Sequence, residues 1–350
     1  MNDTSTSRDS TPPDTRKTAT LDTIAAEASV SLSTVSKVLN HRKGISEQTR
    51  ERVWEVLQTY GYEKPGAQLD FAPYIDLVFE SLDGEWPIEL IRGAAKVARE
   101  YGMTTNVRET GVLHGVDASW SRDTTTRPPC GVILVSLMLS ESDKAQLRAK
   151  KVPFVIVDPV GNSASDVPSV GSTNWAGGMT ATRHLIELGH KRIGVVAGYE
   201  NLMATRARVS GFRAAMDAAG LKIDETLIYT GPIEMEADPT AALSLLNHTK
   251  RPTAIFATSD VKALGVYEAA RQLGLSIPED LSVVGYDNLS FTQWSGPPMT
   301  TIRQNLKEMA MEAAKMIVSF REKPETTVDR IELATSIVVR RSTAAPRAKS

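Results

Sequence analysis

The sequence predicts a short all-α domain followed by an α/β core of two parallel sheets. Three observations predict it. Between residues 20 and 60 apolar side chains recur at helical spacing in three short stretches. From residue 74 onward β-rich apolar runs alternate with amphipathic helical stripes. The alternating part spans roughly 270 residues, long for one such sheet and enough for two.

In the first stretch Leu21, Ile24, Ala25 and Ala28 share a helix face, with Thr20 at the N-cap position. A second helix starts after Ser31 and places Val35, Val38 and Leu39 together. A third starts after Ser46 and turns Val53, Val56, Leu57 and Tyr60 inward. Residues 1–19 are rich in Ser, Thr, Asp and Pro and predict a disordered arm. Residues 63–73, with Pro65, Gly66 and Pro73, predict a hinge or linker between the helical domain (20–62) and the core (74–343), with a tail over 344–350.

In the core, strands are predicted at Tyr74–Phe79, Gly131–Val135, Pro153–Val157, Ile193–Ala197, Thr253–Ala257 and Leu281–Gly285. Between them lie helical stripes such as Ile88, Ile91, Ala95, Ala98 and Tyr101. Four of these patterns stop at Gly102, Gly189, Gly220 and Gly274, where a left-handed residue ends a helix without a Cβ penalty.

Composition narrows the classes of function. Apolar residues make up 41% and charged residues 23%, which excludes a wholly disordered or collagenous chain. No run of eighteen apolar residues suits a membrane-spanning helix, and the first residues lack the apolar segment of a secretory signal, so a cytoplasmic protein is expected. The single cysteine, Cys130, fits a reducing compartment and reads as a small buried hydrophobe. The net charge of −2 gives no global sign of nucleic acid, so any such sign must be local.

A local sign exists. Two short helices joined by a tight turn over Thr20–Asn40 form the helix-turn-helix pattern, whose second helix can enter a major groove. Its outward face carries Leu32, Ser33, Thr34, Ser36 and Lys37. Lysine donates to guanine edges and serine or threonine to several bases. Residues 37–52 hold Lys37, Arg42, Lys43, Arg50 and Arg52 against Glu47 and Glu51, a balance suited to phosphate. The same pattern also fits a solvated three-helix bundle.

The wording of the motifs is more specific. VSLSTVSKVLN (30–40), ISEQTRERV (45–53) and Gly61–Tyr62 closely resemble the DNA-binding headpiece of the LacI family of transcriptional regulators. HLIELGHKRI (184–193), RARVSGF (206–212), ATSDVKALG (257–265), SVVGYDN (282–288), PPMTTIRQ (297–304) and VRRST (339–343) continue the resemblance in the family's order. It implies a core like a periplasmic sugar-binding protein and a ligand-responsive regulator, most simply a repressor of a catabolic operon. It implies double-stranded operator DNA, a small-molecule effector (a sugar favoured) and a homodimer or tetramer as partners, with neither cofactor nor metal and no membrane. By motif position Thr20, Leu32, Ser33, Thr34, Ser36, Lys37, Asn40, His41, Arg50 and Leu69 are the implied DNA contacts. Asp158, Arg208, Ser259 and Asp287 are the implied effector contacts, with Trp86 and Trp175 in loops near the cleft. Asp287 and Arg208 are read as binding effector rather than stabilising the fold.

Departures and alternatives accompany the resemblance. Ser29 stands where relatives usually have glycine, and a left-handed serine costs about 1 kcal/mol. The hinge between Pro65 and Ile75 is short, with Leu69 its one apolar wedge candidate. Ile233 stands where relatives often place an aromatic. Asp260 reads as the N-cap of the helix Val261–Leu273, Asp287 also as a turn residue, and both tryptophans also as packing residues. Phe291–Pro298 is a candidate dimer contact, because it is read as exposing Phe291 and Trp294. An enzyme is the competing class, but the five histidines are scattered and no phosphate-binding glycine motif or nucleophile elbow is present.

Overall fold

The computed structural model describes residues 20–39, 44–60, 72–111, 128–137, 139–160, 167–200, 202–231, 237–322 and 330–347. The chain divides into two compact units, Met1–Phe71 and Ala72–Ser350. The readings of residues 1–19 as an arm, of 63–71 as hinge, and of Asn40, His41, Arg42, Lys43, Leu69 and Ile233 lie outside the described residues.

The first unit contains α1 (Leu21–Glu27), α2 (Leu32–Leu39) and α3 (Glu47–Thr59). Thr20 caps α1, its hydroxyl accepting from the Thr23 N–H at 3.4 Å. Ser31 does the same for α2 through Thr34 at 3.2 Å. The helices close on Ile24, Ala28, Val35, Val38, Val53, Trp54 and Leu57. Val56 and Tyr60 sit at the margin of this core rather than inside it, and Trp54 takes the inward place instead. Between α1 and α2 the chain turns through Ser29 at φ +51°. The Val30 N–H reaches the Ala25 carbonyl and the Ser29 N–H the Ala26 carbonyl, the paired bonds of a Schellman ending with serine in the glycine place.

The second unit holds two six-stranded sheets. One runs β11-β5-β4-β3-β1-β2 and the other β12-β10-β9-β8-β6-β7. The first lobe contains β1 (Ala72–Phe79), β2 (Thr104–Glu109), β3 (Pro129–Val135), β4 (Phe154–Val157), β5 (Ser169–Ser172) and β11 (Arg330–Leu333), all parallel. The second contains β6 (Ile193–Val196), β7 (Ile228–Tyr229), β8 (Ala254–Ala257), β9 (Ser282–Asp287), β10 (Thr300–Arg303) and β12 (Ser336–Val338). Only β12 is antiparallel there. Helices α4 (Trp86–Glu100), α5 (Glu141–Ala149) and α10 (Leu306–Glu322) belong to the first lobe, and α6 (Asn174–Glu187), α7 (Met203–Ala218), α8 (Thr240–Leu246) and α9 (Asp260–Gln272) to the second. Gly102, Gly189, Gly220 and Gly274 all take positive φ just past helix ends.

The strand β1 starts at Ala72, so two residues of the expected linker are sheet. The tail is also partly built in: the Ala344 N–H donates to Ser282 Oγ at 3.0 Å, and Arg347 pairs with Asp280 at 2.7 Å. His190, beneath this segment, is buried and hydrogen-bonded to Thr253 and Ser282 hydroxyls and the Ala344 carbonyl.

The chain passes between lobes three times, after β5, after β10 and after β11. The passages are tied together. Thr173 and Thr335 hydroxyls lie 3.1 Å apart, and the Asn305 side-chain amide donates to the Ala334 carbonyl at 3.0 Å. As a result α10, late in sequence, fills the first lobe's core with Met309, Ala310, Ala313, Ala314 and Ile317 beside Leu77 and Ile133.

Candidate functional site

Two surfaces carry functional chemistry, one in each unit. On α2 the sequence alternates apolar anchors with short polar residues, so burying Val35 and Val38 turns the rest outward. Leu32, Ser33, Ser36 and Lys37 are exposed and Thr34 half-exposed. Ser31 Oγ lies 2.8 Å from Ser33 Oγ and 2.9 Å from Thr34 Oγ1, which orients both hydroxyls at the helix start. Thr20 caps the first helix, and Arg50 and Arg52 stand on the first half of α3. A short helix presenting hydroxyls and a lysine on a hydrophobic tripod can lie in a major groove.

The second surface is the cleft between the lobes, at the carboxyl ends of the strands where open parallel sheets hold ligands. It encloses about 440 Å³, and its lining includes Trp86, Asp158, Arg208, Ser259 and Asp287, brought together from five separate segments. Four non-glycine residues near these strand ends hold left-handed backbones: Ser136, Asp158, Asp287 and Asn288. Such strain persists where the surrounding structure fixes it, and it concentrates at binding sites.

Arg208 is the centre of the cleft's charge. Its Nε donates to Asn174 Oδ1 at 2.8 Å and its Nη1 to the Thr258 carbonyl at 2.6 Å. Its guanidinium lies 3.7 Å from the centre of the Tyr286 ring. Asp287 Oδ1 is 3.8 Å from Arg208 Nη1 and accepts from Gln304 Nε2 at 2.6 Å. Gln304 in turn accepts from Ser172 Oγ of the other lobe at 2.7 Å. Burial pushes the Asp287 carboxyl up to about 6, with Arg208 and Gln304 pulling the other way. Burial also raises Asp158, again against Arg208 and the Ser136 hydroxyl.

The position of Arg208 is fixed by helix packing. A Cβ on Gly178 of α6 would lie 2.1 Å from the Arg208 carbonyl oxygen, and one on Gly211 of α7 would lie 2.1 Å from that of Trp175. The two helices therefore meet at backbone contact, which any larger residue at either glycine would break.

The structure corrects three sequence expectations here. Ser259, not Asp260, caps α9, its hydroxyl accepting from the Lys262 N–H at 3.2 Å. Asp260 is the first helical residue and fully buried, accepting from Thr301 Oγ1 at 2.5 Å and from the Leu289 N–H at 2.8 Å. It cross-links β10 to the loop after β9. Arg208 and Asp287 are buried and bonded within the fold, so neither is free of a stabilising role. Phe291 is half-buried against the cores of both lobes, so Trp294, 85% exposed, is the residue that segment displays.

Trp86 is half-buried at the start of α4 and packs on the first lobe's core while lining the cleft. Trp175 stands at the start of α6, 48% exposed, beside the cleft rather than in its centre. Sequence reasoning missed Tyr286, Gln304, Asn174 and Tyr199. The first three act by contacts across long sequence separations, which no local pattern reveals. Tyr199, an exposed aromatic after β6, was detectable by the rule that found Asp158 and Asp287.

A helical headpiece and a two-lobed core with a charged interlobe cleft define a ligand-responsive DNA-binding regulator. Residues 20–64 match the bacterial regulatory proteins of the lacI family, and residues 182–343 a periplasmic binding protein-like domain. The chain is 30% identical to the HTH-type transcriptional repressor PurR of Escherichia coli, over 93% of this chain and 97% of that one. The structure of the transcriptional regulator CelR–cellobiose complex is 30% identical, with a TM-score of 0.70, over 93% of this chain and 99% of that one. The lac repressor dimer bound to operator and the anti-inducer ONPF, 23% identical, shares the fold at a TM-score of 0.68 over 94% and 100% of the two chains. The chain belongs to the LacI family of DNA-binding transcriptional repressors and is not an enzyme. No described helix is long and apolar enough to cross a membrane.

Proposed function

We propose that this repressor reads a two-fold operator as a cytoplasmic homodimer and changes its hold on that operator when a saccharide binds between the lobes of its core. Lys37, Ser33, Thr34 and Ser36 read base edges, with Leu32 against an apolar edge. Arg50, Arg52 and the capped start of α1 at Thr20 meet phosphate. One short helix offers too little surface for a typical specific affinity, which favours paired headpieces. The pair forms through the cores, with Trp294 in the contact.

The observation that carries the sugar reading is the convergence of Asp158 and Asp287 on Arg208 beside Trp86. Carboxylates accept from hydroxyl groups, the guanidinium donates to ring and hydroxyl oxygens, and the indole covers an apolar sugar face. Cellobiose in the related complex supports the same class. A saccharide bridging the lobes favours one interlobe geometry, and operator affinity follows that population. Thermal-shift screening of the full chain against sugars, nucleosides and aromatic acids tests the class. An electrophoretic mobility assay with each hit tests the coupling. Stabilisation by nucleosides alone would overturn the sugar assignment and leave the family unaffected.

A further inference from the structure

Positive charge gathers at the amino ends of β6, β8 and β9, on the side of the second lobe away from the cleft. Three separate segments bring it there. Gly189 takes φ +99° past the end of α6, and the buried His190 anchors the chain behind it. Lys191 then stands exposed and Arg192 half-buried. After α8, burial of Pro252 leaves Lys250 and Arg251 outside. The tail adds Arg347, next to Pro346, whose Cδ would lie 3.6 Å from a Cβ on Gly189. With Glu279 and Asp280 these residues line a cavity of about 810 Å³. That is within the range of roughly 300–1,000 Å³ typical of small-ligand sites.

The charges in this cavity do not balance. Among its described lining residues five cations face two carboxylates, in a chain whose net charge is −2. Asp280 is already engaged, by the Ser276 N–H at 2.9 Å and by Arg347 at 2.7 Å. Arg192 pairs with Asp224 at 2.7 Å and donates to the Lys250 carbonyl. Its Nη2 is nevertheless shut off from solvent with no acceptor among the described residues. The side chains of Lys191, Lys250 and Arg251 have none there either. Helices α6 and α8 end just before these cations, and each end offers about half a negative charge. Most of the surplus is left over.

We infer that this cavity binds a compact anion carrying two or more phosphoryl groups, at a site separate from the interlobe cleft. Lys191, Lys250 and Arg251 hold the phosphoryl oxygens, and Arg192 is the fixed charge beneath them. Arginine meets phosphate as a fork and lysine as a point charge. An exposed cation gains only about fivefold in affinity for one charge at 4 Å in water. Several cations must therefore act on several charges, which selects a di- or triphosphate over a monophosphate. No Phe, Tyr or Trp is among the described lining residues, so charge rather than stacking carries the recognition.

Calorimetric titration of the full chain with orthophosphate, pyrophosphate, tripolyphosphate and citrate, at constant ionic strength, tests it. Tripolyphosphate should bind at least tenfold more tightly than orthophosphate or citrate. Lys191→Gln and Arg251→Gln, both at exposed positions, should each weaken it about fivefold. Lys96→Gln, at an exposed position of the first lobe, should leave it unchanged. Equal losses in all three variants would overturn the site, as would tripolyphosphate binding no tighter than orthophosphate. A larger loss in Lys37→Ala would move the anion to the headpiece. Citrate matching tripolyphosphate would overturn the phosphoryl assignment. Unchanged tripolyphosphate binding in Lys191→Gln and Arg251→Gln, with weaker binding of random DNA, would give the patch to DNA instead.

Discussion

The headpiece and the interlobe cleft solve recognition in opposite ways. On α2 the groups proposed to read DNA are exposed or half-exposed and lie close together between Leu32 and Lys37, turned outward by the burial of Val35 and Val38. In the cleft Arg208 and Asp287 are buried and Trp86, Asp158 and Ser259 half-buried, and they come from segments as distant as Trp86 and Asp287. They are cross-linked to one another and to the fold through Tyr286, Gln304 and Asn174. A surface that meets a polyanion can leave its polar groups in water until binding. A pocket that holds a small neutral ligand must desolvate its charges beforehand, so the same residues serve fold and ligand. Substitutions should therefore separate affinity from stability in the headpiece and fail to separate them in the cleft.

The sharpest test is Arg208→Ala. It removes the guanidinium that faces Asp158 and Asp287 and stacks on Tyr286. Losing one partner of a buried pair costs about 3–5 kcal/mol, so differential scanning calorimetry should show a large fall in the melting temperature of the core. The sugar response should vanish as well. A variant of normal stability would break the comparison and make Arg208 a ligand group only.

Lys37→Ala should leave the melting temperature unchanged and weaken operator binding by about 1–3 kcal/mol, with a smaller loss on random DNA. Fluorescence anisotropy on both DNAs measures this. Equal losses on the two would reduce Lys37 to a phosphate contact.

Titration of Asp287 should appear in both stability and ligand affinity, with opposite signs. Its folded value of about 6 lies above the ordinary carboxyl value, so the empty fold favours the protonated form. That contribution to stability is present at low pH and is lost as pH rises through about 6. A hydroxyl donating to Asp287 favours the ionised form. Sugar affinity should then fall as pH drops below about 6, by about tenfold per unit at the limit. Calorimetry near pH 6 in buffers of different ionisation enthalpy should show proton release on binding. Uptake instead would mean that the ligand accepts from a protonated Asp287.

The smallest effect belongs to Ser29→Gly. Relief of a left-handed serine should stabilise the headpiece by up to about 1 kcal/mol, read as slower hydrogen exchange of the α1 and α2 amides. An unchanged rate would mean that the entropy of glycine offsets the relief.

The same contrast explains what the sequence revealed. The headpiece was legible nearly in full because its signals are local: a cap at Thr20, apolar spacing, outward polar residues. Trp54 was missed because α3 carries charge on both sides of it, in ERVWEV. In the core the buried central strands were legible as apolar runs. The strands β2 (TTNVRE), β5 (SVGS) and β11 (RIEL) were not, since each lies at or beside a sheet edge and keeps polar side chains. Asp158 and Asp287 were found from their places at strand ends. Of their partners Arg208 was found, but the chain of bonds from Asp287 through Gln304 to Ser172 was not, because Ser172 and Gln304 lie 132 residues apart. The exchange of roles between Ser259 and Asp260 had the same cause: the distant donors, the Thr301 hydroxyl and the Leu289 N–H, cannot be seen from the helix start alone.

The three tied passages between the lobes also set an order of events during synthesis. Strands β1 to β5 leave the ribosome early, but Met309, Ala313 and Ile317 of α10, which complete their apolar face, follow only after residues 173–305. At roughly 5–20 residues per second, the first lobe waits on the order of ten seconds with an open core. The second lobe, whose strands β6 to β10 are nearly contiguous, waits only for its edge strand β12 and the buried Ser342 that follows it. The nascent first lobe is therefore the part of this chain most exposed to misassembly and most dependent on chaperones.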